Sequence, residues 1–184
     1  PGLDVSAVQW ALDLGAHGIV VPQVSDFSEA IKAVEITKYP PLGSRGYNPF
    51  TRAGGYSPLS KNQSNKLNND FGVSAVIIET EASLLELEKI CSIDALDIIY
   101  IGVYDLSVCL GLAGDTLHPK IINIVEKSVN IIKESGKAAG IMCRNQDEIE
   151  KALALGYTVI VCGVDTLLLH SAVTGVVEGF KESR

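Results

Sequence analysis

Short apolar runs alternate with amphipathic segments along this chain. Near-continuous apolar runs rich in β-branched residues are typical of strands that are buried on both faces of a sheet. The predicted strands cover residues 18–24, 73–80, 96–103, 138–143 and 158–164. Strands that alternate with helices predict a parallel sheet with right-handed crossover connections.

The segments between these runs have helical periodicity and recognisable starts. Asp4, Asp26, Asn145 and Thr166 are expected N-caps, Thr80 precedes another helix, and Pro119 suits a first helical turn. The predicted helices reach to residues 14, 36, 91, 135, 155 and 180. Residues 40–69, rich in Gly, Pro, Ser and Asn, are predicted to form a long loop, and a loop of this length in a compact domain is usually functional or disordered.

Length and composition indicate one domain over residues 1–184. The chain is 47% hydrophobic and 20% charged, which predicts a substantial core, yet it is short for the roughly 250 residues of a complete βα barrel. A net charge of −7 with scattered basic residues argues against a nucleic acid or an anionic membrane as partner.

The N-terminal sequence and the cysteine spacing are both typical of a cytoplasmic protein. The first residues lack the succession of a signal peptide, and no apolar run approaches the roughly 18 residues of a membrane span, so we expect a cytoplasmic protein. The four cysteines lack C-x-x-C spacing, which favours buried thiols over a zinc site or disulfides: Cys91, Cys109, Cys143 and Cys162.

Two carboxylates stand at the ends of successive predicted strands. Glu79 follows Ile78, and Asp105 follows the run that ends at Tyr104. Carboxyl ends of neighbouring parallel strands converge on one mouth of a barrel, where two carboxylates suit Mg²⁺, Mn²⁺ or a similar hard cation. The alternative is structural: one residue caps the following helix and the other is solvated.

Other chemistries have weaker candidates. No predicted strand carries a lysine for Schiff-base chemistry, which favours metal-assisted catalysis. Arg45, Arg52 and Arg144 suit a substrate carboxylate or phosphate, with surface salt bridges as the alternative. The histidines have structural explanations: His17 precedes the first strand, His118 stands in a turn that starts a helix, and His170 lies on the last helix.

Several motifs lie in order along nearly the whole chain, at residues 39–46, 78–80, 101–107, 134–137 and 163–166. Together they resemble the motifs of the HpcH/HpaI aldolase family. The resemblance implies a (β/α)8 TIM barrel of the pyruvate and phosphoenolpyruvate type, present here as a partial barrel with about five strands. It also implies a metal-dependent aldolase, a carbon–carbon lyase that joins or cleaves pyruvate and an aldehyde.

The same resemblance implies roles for particular residues. Glu79 and Asp105 would bind the divalent cation, Mg²⁺, Mn²⁺ or Co²⁺. Backbone N–H groups of Val103, Tyr104 and Asp105, beside Gly102, would hold the pyruvate carboxylate. Arg52 would lie toward the aldehyde as a catalytic residue, and Arg45 would bind substrate. The expected ligands are pyruvate with an aldehyde, or their 4-hydroxy-2-oxoacid adduct, in a homo-oligomer.

The chain also departs from the family pattern. Members commonly have Gln where Ile77 stands and Pro-Ala where Val103-Tyr104 stands, which implies a different pocket. Pro1 resembles the residue after a third strand, and the upstream histidine and arginine of the family are not found, so we expect the last five-eighths of a barrel. The alternative functions are a malyl-CoA or citryl-CoA lyase, which would want a basic groove, and an impaired barrel fragment that binds metal or small acids or assembles with other chains.

Overall fold

One parallel sheet organises the chain. The computed structural model describes residues 2–57 and 61–182, so Pro1 lies outside the described residues. The strands are hydrogen-bonded in the order β1 to β5, all parallel: β1 (Gly18–Val21), β2 (Val73–Ile78), β3 (Ile98–Ile101), β4 (Ala138–Cys143) and β5 (Val159–Cys162). Consecutive parallel strands joined by helices confirm the predicted partial βα barrel.

In the described residues, one or two helices lie in each connection between consecutive strands, and one helix lies at each end. They are α1 (Val5–Asp13), α2 (Phe27–Glu35), α3 (Lys61–Phe71), α4 (Glu81–Leu85), α5 (Leu87–Cys91), α6 (Val103–Cys109), α7 (Pro119–Glu134), α8 (Gln146–Leu155) and α9 (Asp165–Glu182). Three predicted N-caps are confirmed, because a side-chain oxygen of Asp4, Asp26 or Asn145 accepts a backbone N–H of its helix's first turn, at 2.9, 2.8 and 3.0 Å respectively.

Some predicted boundaries are wrong. β1 stops at Val21 rather than residue 24, because Pro22 has no N–H for a ladder bond and Gln23 has a left-handed φ of 59°. β3 is likewise shorter than predicted, since Val103 already belongs to α6. Thr166 is not an N-cap, because α9 begins at Asp165, whose Oδ1 accepts the N–H of Thr166 at 2.7 Å.

Two helical predictions also need correction. The helix predicted up to residue 91 divides into α4 and α5 at Glu86, whose carboxylate accepts the N–H of Phe27 at 2.8 Å. The predicted long loop contains α3 in its last part. A polar helix rich in asparagine has no strong apolar periodicity, so the sequence pattern gave little signal for it.

The two faces of the sheet differ in burial. Side chains such as Val76, Ile78, Ile99 and Ile101 pack with the helices and have 0% exposure. Ile77 and Tyr100 alternate with them, face the opposite side, and are only half-buried. The second face corresponds to the interior of a barrel, and Glu79 continues its alternation at the carboxyl end of β2.

Helix α9 is the most exposed apolar element. Its 18 residues include several exposed large side chains: Leu167, Leu168, Leu169, Val173, Val176, Val177 and Phe180. Within residues 2–57 and 61–182, no helix combines the length and apolar character that crossing a membrane would need.

We expect Gly140→Ala to destabilise the fold. A Cβ on Gly140 would lie 2.8 Å from Cδ2 of Tyr100, its register partner on β3, so the ring would have to shift. The expected loss is about 1–3 kcal/mol in the free energy of unfolding, measured by denaturant titration. Gly175→Ala is the control, because no atom lies within 4 Å of its Cβ position and a helical alanine is neutral or stabilising. Equal stability of both variants would contradict the tight β3–β4 contact.

Candidate functional site

The register of β2 and β3 brings the predicted site together. Ile78 pairs with Ile101, and the N–H of Gly102 donates to the carbonyl of Ile78 at 2.9 Å. Glu79 and Gly102 are therefore neighbours just beyond the last paired residues. A Cβ at Gly102 would lie 2.7 Å from the Cβ of Glu79 and 3.1 Å from its Oε2, so only glycine leaves the space that this carboxylate occupies.

The carboxylate of Glu79 is buried, and the segment that follows β1 holds it by a hydrogen bond. Its residue exposure is 8%, and Oε1 accepts the backbone N–H of Gln23 at 2.5 Å. The left-handed backbone of Gln23 accompanies this contact. Sequence analysis did not single out Gln23; the available signal was Pro22, which ends strand pairing and leaves the next N–H free to bind a side chain.

Asp105 meets Glu79 from helix α6. Asp105 lies in the first turn of this helix and is exposed, whereas Glu79 is buried beneath it. Burial raises the pKa of Glu79, the N–H of Gln23 opposes that rise, and the nearby carboxylate of Asp105 adds to it through its charge and a side-chain hydrogen bond. The structure thus brings the carboxylate of Asp105 near enough to Glu79 to raise its pKa.

This donor set fits a hard divalent cation. No cationic side chain of the described residues is among the groups that shift the pKa of Glu79. The same residues contain no cluster of three or more His, Cys, Asp or Glu that could hold a metal. Two carboxylates without a cationic partner suit an ion such as Mg²⁺, which keeps its other positions for water and substrate oxygens.

The start of α6 presents backbone donors beside the carboxylates. Gly102 is the N-cap and supplies no side-chain cap, so the first-turn N–H groups of Val103, Tyr104 and Asp105 have no intrahelical acceptor. The first intrahelical bond joins the N–H of Leu106 to the carbonyl of Gly102 at 3.0 Å. Amides at a helix start attract a carboxylate because of their partial positive charge.

Arg144 lies at the same end of the sheet, directly after β4. The guanidinium Nε of Arg144 donates to Oε1 of Glu148 at 2.9 Å. The backbone N–H of Arg144 donates to Oε2 of the same carboxylate at 2.8 Å. The carboxylate of Glu148 raises the pKa of Arg144, and Tyr104 contributes in the same direction. Arg144 therefore stands next to the α6 start with its charge largely compensated.

Arg45 and Arg52 lie at the opposite end of the sheet. Arg45 is buried, donates to Asp13 at 3.0 Å, and stacks 4.4 Å from the centroid of the Tyr39 ring. Both arginines line a cavity of 190 Å³ together with His17 and Val73, the first residue of β2. The length of β2, about 20 Å, separates that cavity from Glu79. Within this chain the structure does not bring the two arginines to the carboxylates.

The other titratable residues that the sequence singled out are the three histidines and the four cysteines. Nδ1 of His118 accepts the N–H of Lys120 at 3.1 Å and so caps α7. His17 lies at the cavity with the arginines, and His170 is exposed on α9. The expectation of buried cysteines holds for Cys91 and Cys143 but is wrong for the exposed thiols, Cys109 and Cys162.

Comparisons with known proteins extend this picture. The chain is 33% identical over 177 residues to the 2-keto-3-deoxy-L-rhamnonate aldolase of Klebsiella pneumoniae, covering 96% of this chain and 66% of that protein. It is 34% identical over 181 residues to the 4-hydroxy-2-oxo-heptane-1,7-dioate aldolase of Shigella flexneri, covering 98% and 67%. The chain therefore spans about two thirds of the length of these relatives.

A solved structure agrees with the fold. The HpcH/HpaI aldolase of Desulfitobacterium hafniense superposes with a TM-score of 0.91 at 27% identity, covering 99% of this chain and 70% of that one. The family model for HpcH/HpaI aldolase/citrate lyase matches residues 2–172. On this evidence the chain belongs to the HpcH/HpaI aldolase/citrate lyase family.

Proposed function

We propose that this chain carries the metal-binding half of a divalent-metal-dependent aldolase, which cleaves a 4-hydroxy-2-oxoacid to pyruvate and an aldehyde. The observation that carries the proposal is the placement of buried Glu79, directly after β2, near enough to Asp105 in the first turn of α6 for Asp105 to raise the pKa of Glu79. Membership of an aldolase/citrate lyase family supports the same reaction class. Mg²⁺, Mn²⁺ and Co²⁺ are the candidate ions, because they accept carboxylate oxygens and keep open positions.

The residues of this chain would bind and orient the pyruvate half of the substrate. Glu79 and Asp105 would hold the cation, with Gln23 fixing the Glu79 carboxylate. The amides of Val103 and Tyr104 would receive the substrate carboxylate. When bound, the divalent cation supplies a Lewis acid that draws electron density from the breaking C–C bond toward the keto oxygen.

Gly102 and Ile77 would shape the floor beneath that substrate. Gly102 lets the buried carboxylate approach the backbone, and Cγ2 of Ile77 would lie 3.0 Å from a Cβ at the glycine position. An apolar Ile77 supplies no hydrogen bond to the cation's ligands, so their orientation would rest on the Gln23 contact. The apolar side chain of Ile77 would also lower the local dielectric constant, which strengthens electrostatic interactions between the cation and its ligands.

Other expectations stay predictions. Arg52 and Arg45 line a cavity at the other end of β2 from Glu79. Their expected roles toward the aldehyde and the substrate would therefore require carboxylates from another chain to lie near that cavity. The cytoplasmic location, the homo-oligomer and the aldehyde partner also stay predictions.

A second candidate function is metal or small-acid binding without turnover. Only five strands lie in the described residues, and side chains on the barrel-interior face, such as Tyr100 and Met142, are half-buried there. Calorimetric titration with Mn²⁺ beside a turnover assay separates the two candidates. Metal binding without pyruvate release supports the second, and robust release eliminates it.

Chelation should remove activity. We expect pyruvate release from a 4-hydroxy-2-oxoacid to cease in EDTA and to return when excess Mg²⁺, Mn²⁺ or Co²⁺ is added, because the carboxylates alone provide no Lewis acid. A coupled lactate dehydrogenase assay measures the released pyruvate. Turnover that is unchanged by EDTA would eliminate a metal-dependent reaction.

Glu79→Gln should weaken Mn²⁺ binding by about 10–100-fold, since a neutral amide replaces an anionic ligand. Calorimetry measures this affinity without any need for turnover. Glu88→Gln, which removes an exposed carboxylate from α5, is the matched control and should bind Mn²⁺ as the unaltered chain does. Equal affinities for the two variants would mean that Mn²⁺ binds elsewhere.

Gly102→Ala should disturb the site while the fold persists. The added methyl would meet the side chain of Glu79 at 2.7 Å, so the carboxylate must move and we expect Mn²⁺ affinity to fall by about tenfold or more. Gly46→Ala is the control, because the atom nearest its added Cβ would be Oε1 of Gln9 at 3.7 Å, an ordinary contact. Thermal unfolding establishes that both variants are folded. Unchanged affinity in Gly102→Ala would contradict the packing described here.

A further inference from the structure

Cys143 and Cys162 are register partners at the carboxyl ends of β4 and β5. Each is the last residue of its strand, and their Cα atoms are paired across the parallel ladder. Directly paired residues of neighbouring strands project to the same face of a sheet. The chain continues from Cys162 into Gly163, whose N–H donates to the carbonyl of Cys143 at 3.3 Å. The two cysteines, 19 positions apart in sequence, are thus adjacent in space.

We propose that Cys143 and Cys162 form a redox-active pair that closes into an intrachain disulfide under oxidising conditions. Neighbouring strands lie about 4.8 Å apart, within the 4.4–6.8 Å that disulfides span between Cα atoms. The Cβ atoms of a disulfide are about 3.8 Å apart, so closure needs a movement of about 1 Å. β5 has one described strand neighbour, and the residue after Cys162 is Gly163, which can adopt many backbone conformations, so a shift of this size breaks no second strand pairing of the described residues.

The two thiols differ in accessibility in a way that suits stepwise oxidation. Cys162 is exposed and can meet an oxidant, whereas Cys143 is 3% exposed and packs in the core. Burial raises the pKa of Cys143, and nearby Glu148 and Cys162 add to that effect. Cys143 is therefore a protected thiol beside an accessible one, the arrangement of a resolving cysteine next to a sensing cysteine.

The chemistry balances with hydrogen peroxide as oxidant. Peroxide transfers one oxygen to the sulfur of Cys162, which gives a sulfenic acid and one water. The thiol of Cys143 then attacks that sulfur, the S–S bond forms, and the hydroxyl leaves as a second water with the thiol proton. Two thiols lose two electrons and two protons, and one peroxide becomes two waters. A dithiol reductant reverses the change.

The pair lies next to the candidate site. Arg144 follows Cys143 directly, and its guanidinium reaches Glu148 and the vicinity of Tyr104. A cross-link between β4 and β5 would hold the strand end that positions Arg144. The inference rests on the strand register and on the exposure of the two thiols, and it does not depend on the proposed aldolase reaction.

Peptide mapping tests the pair directly. Reduced chain is treated with hydrogen peroxide, blocked with N-ethylmaleimide, denatured and digested with trypsin. Cleavage after lysine and arginine places Cys143 on peptide 138–144 and Cys162 on peptide 152–181, while Cys91 and Cys109 share peptide 90–120. We expect a linked species of peptides 138–144 and 152–181 that is two hydrogen masses lighter than their sum and that dithiothreitol separates.

Cysteine variants show which thiols form the disulfide, and isotope mixing shows whether it joins residues of one chain or of two. Cys162→Ser should lose the linked species, and Cys109→Ser, which removes the other exposed thiol, should retain it. An equal mixture of ¹⁵N-labelled and unlabelled chains should give links within one isotope only. Mixed-isotope links alone, or oxidation of Cys109 without any link between Cys143 and Cys162, would overturn the proposal. Because the readout is a peptide mass, failure here leaves the proposed aldolase function untouched.

Discussion

The parallel register of β2 against β3 is the constraint on which the candidate site depends. It places Glu79 and Gly102 one step beyond the same pair of hydrogen-bonded residues, Ile78 and Ile101. Neither residue is special in isolation. The missing side chain of Gly102 creates the space, and Glu79 fills that space with a carboxylate that is mostly removed from water. A shift of one residue in this register would turn Glu79 toward the helices and separate it from Asp105.

Burial of an acid at this position carries an electrostatic cost, and the surrounding backbone offsets only part of it. The N–H of Gln23 favours the ionised form of Glu79, but desolvation and the neighbouring Asp105 favour the neutral form. A divalent cation would relieve both effects at once. The amides at the start of α6 add a second region of positive potential, suited to an anionic substrate group. Under the proposed function, a cation held by the two carboxylates would lie beside the amides that receive the substrate carboxylate.

Sequence reasoning predicted the elements and the carboxylate pair better than it predicted the surroundings. The strand runs and caps such as Asp4 and Asn145 follow local rules, so periodicity was sufficient for them. Glu79 and Asp105 were predictable because parallel strands end on one side of a sheet. The Gln23 contact, the position of Arg52 and the pairing of Cys143 with Cys162 depend on register and on long connections, which local patterns do not encode. The cysteine spacing considered neighbours in sequence alone, so it did not reveal that Cys143 and Cys162, both free thiols, are register partners.

Binding of one divalent cation by Glu79 and Asp105 together can be measured in crystals of the chain soaked in MnCl₂. An anomalous difference map collected above the manganese absorption edge should contain one strong peak within about 2.0–2.4 Å of oxygens from both carboxylates. Manganese bound away from this pair, or carboxylates that stay in contact with no peak between them at saturating MnCl₂, would contradict it.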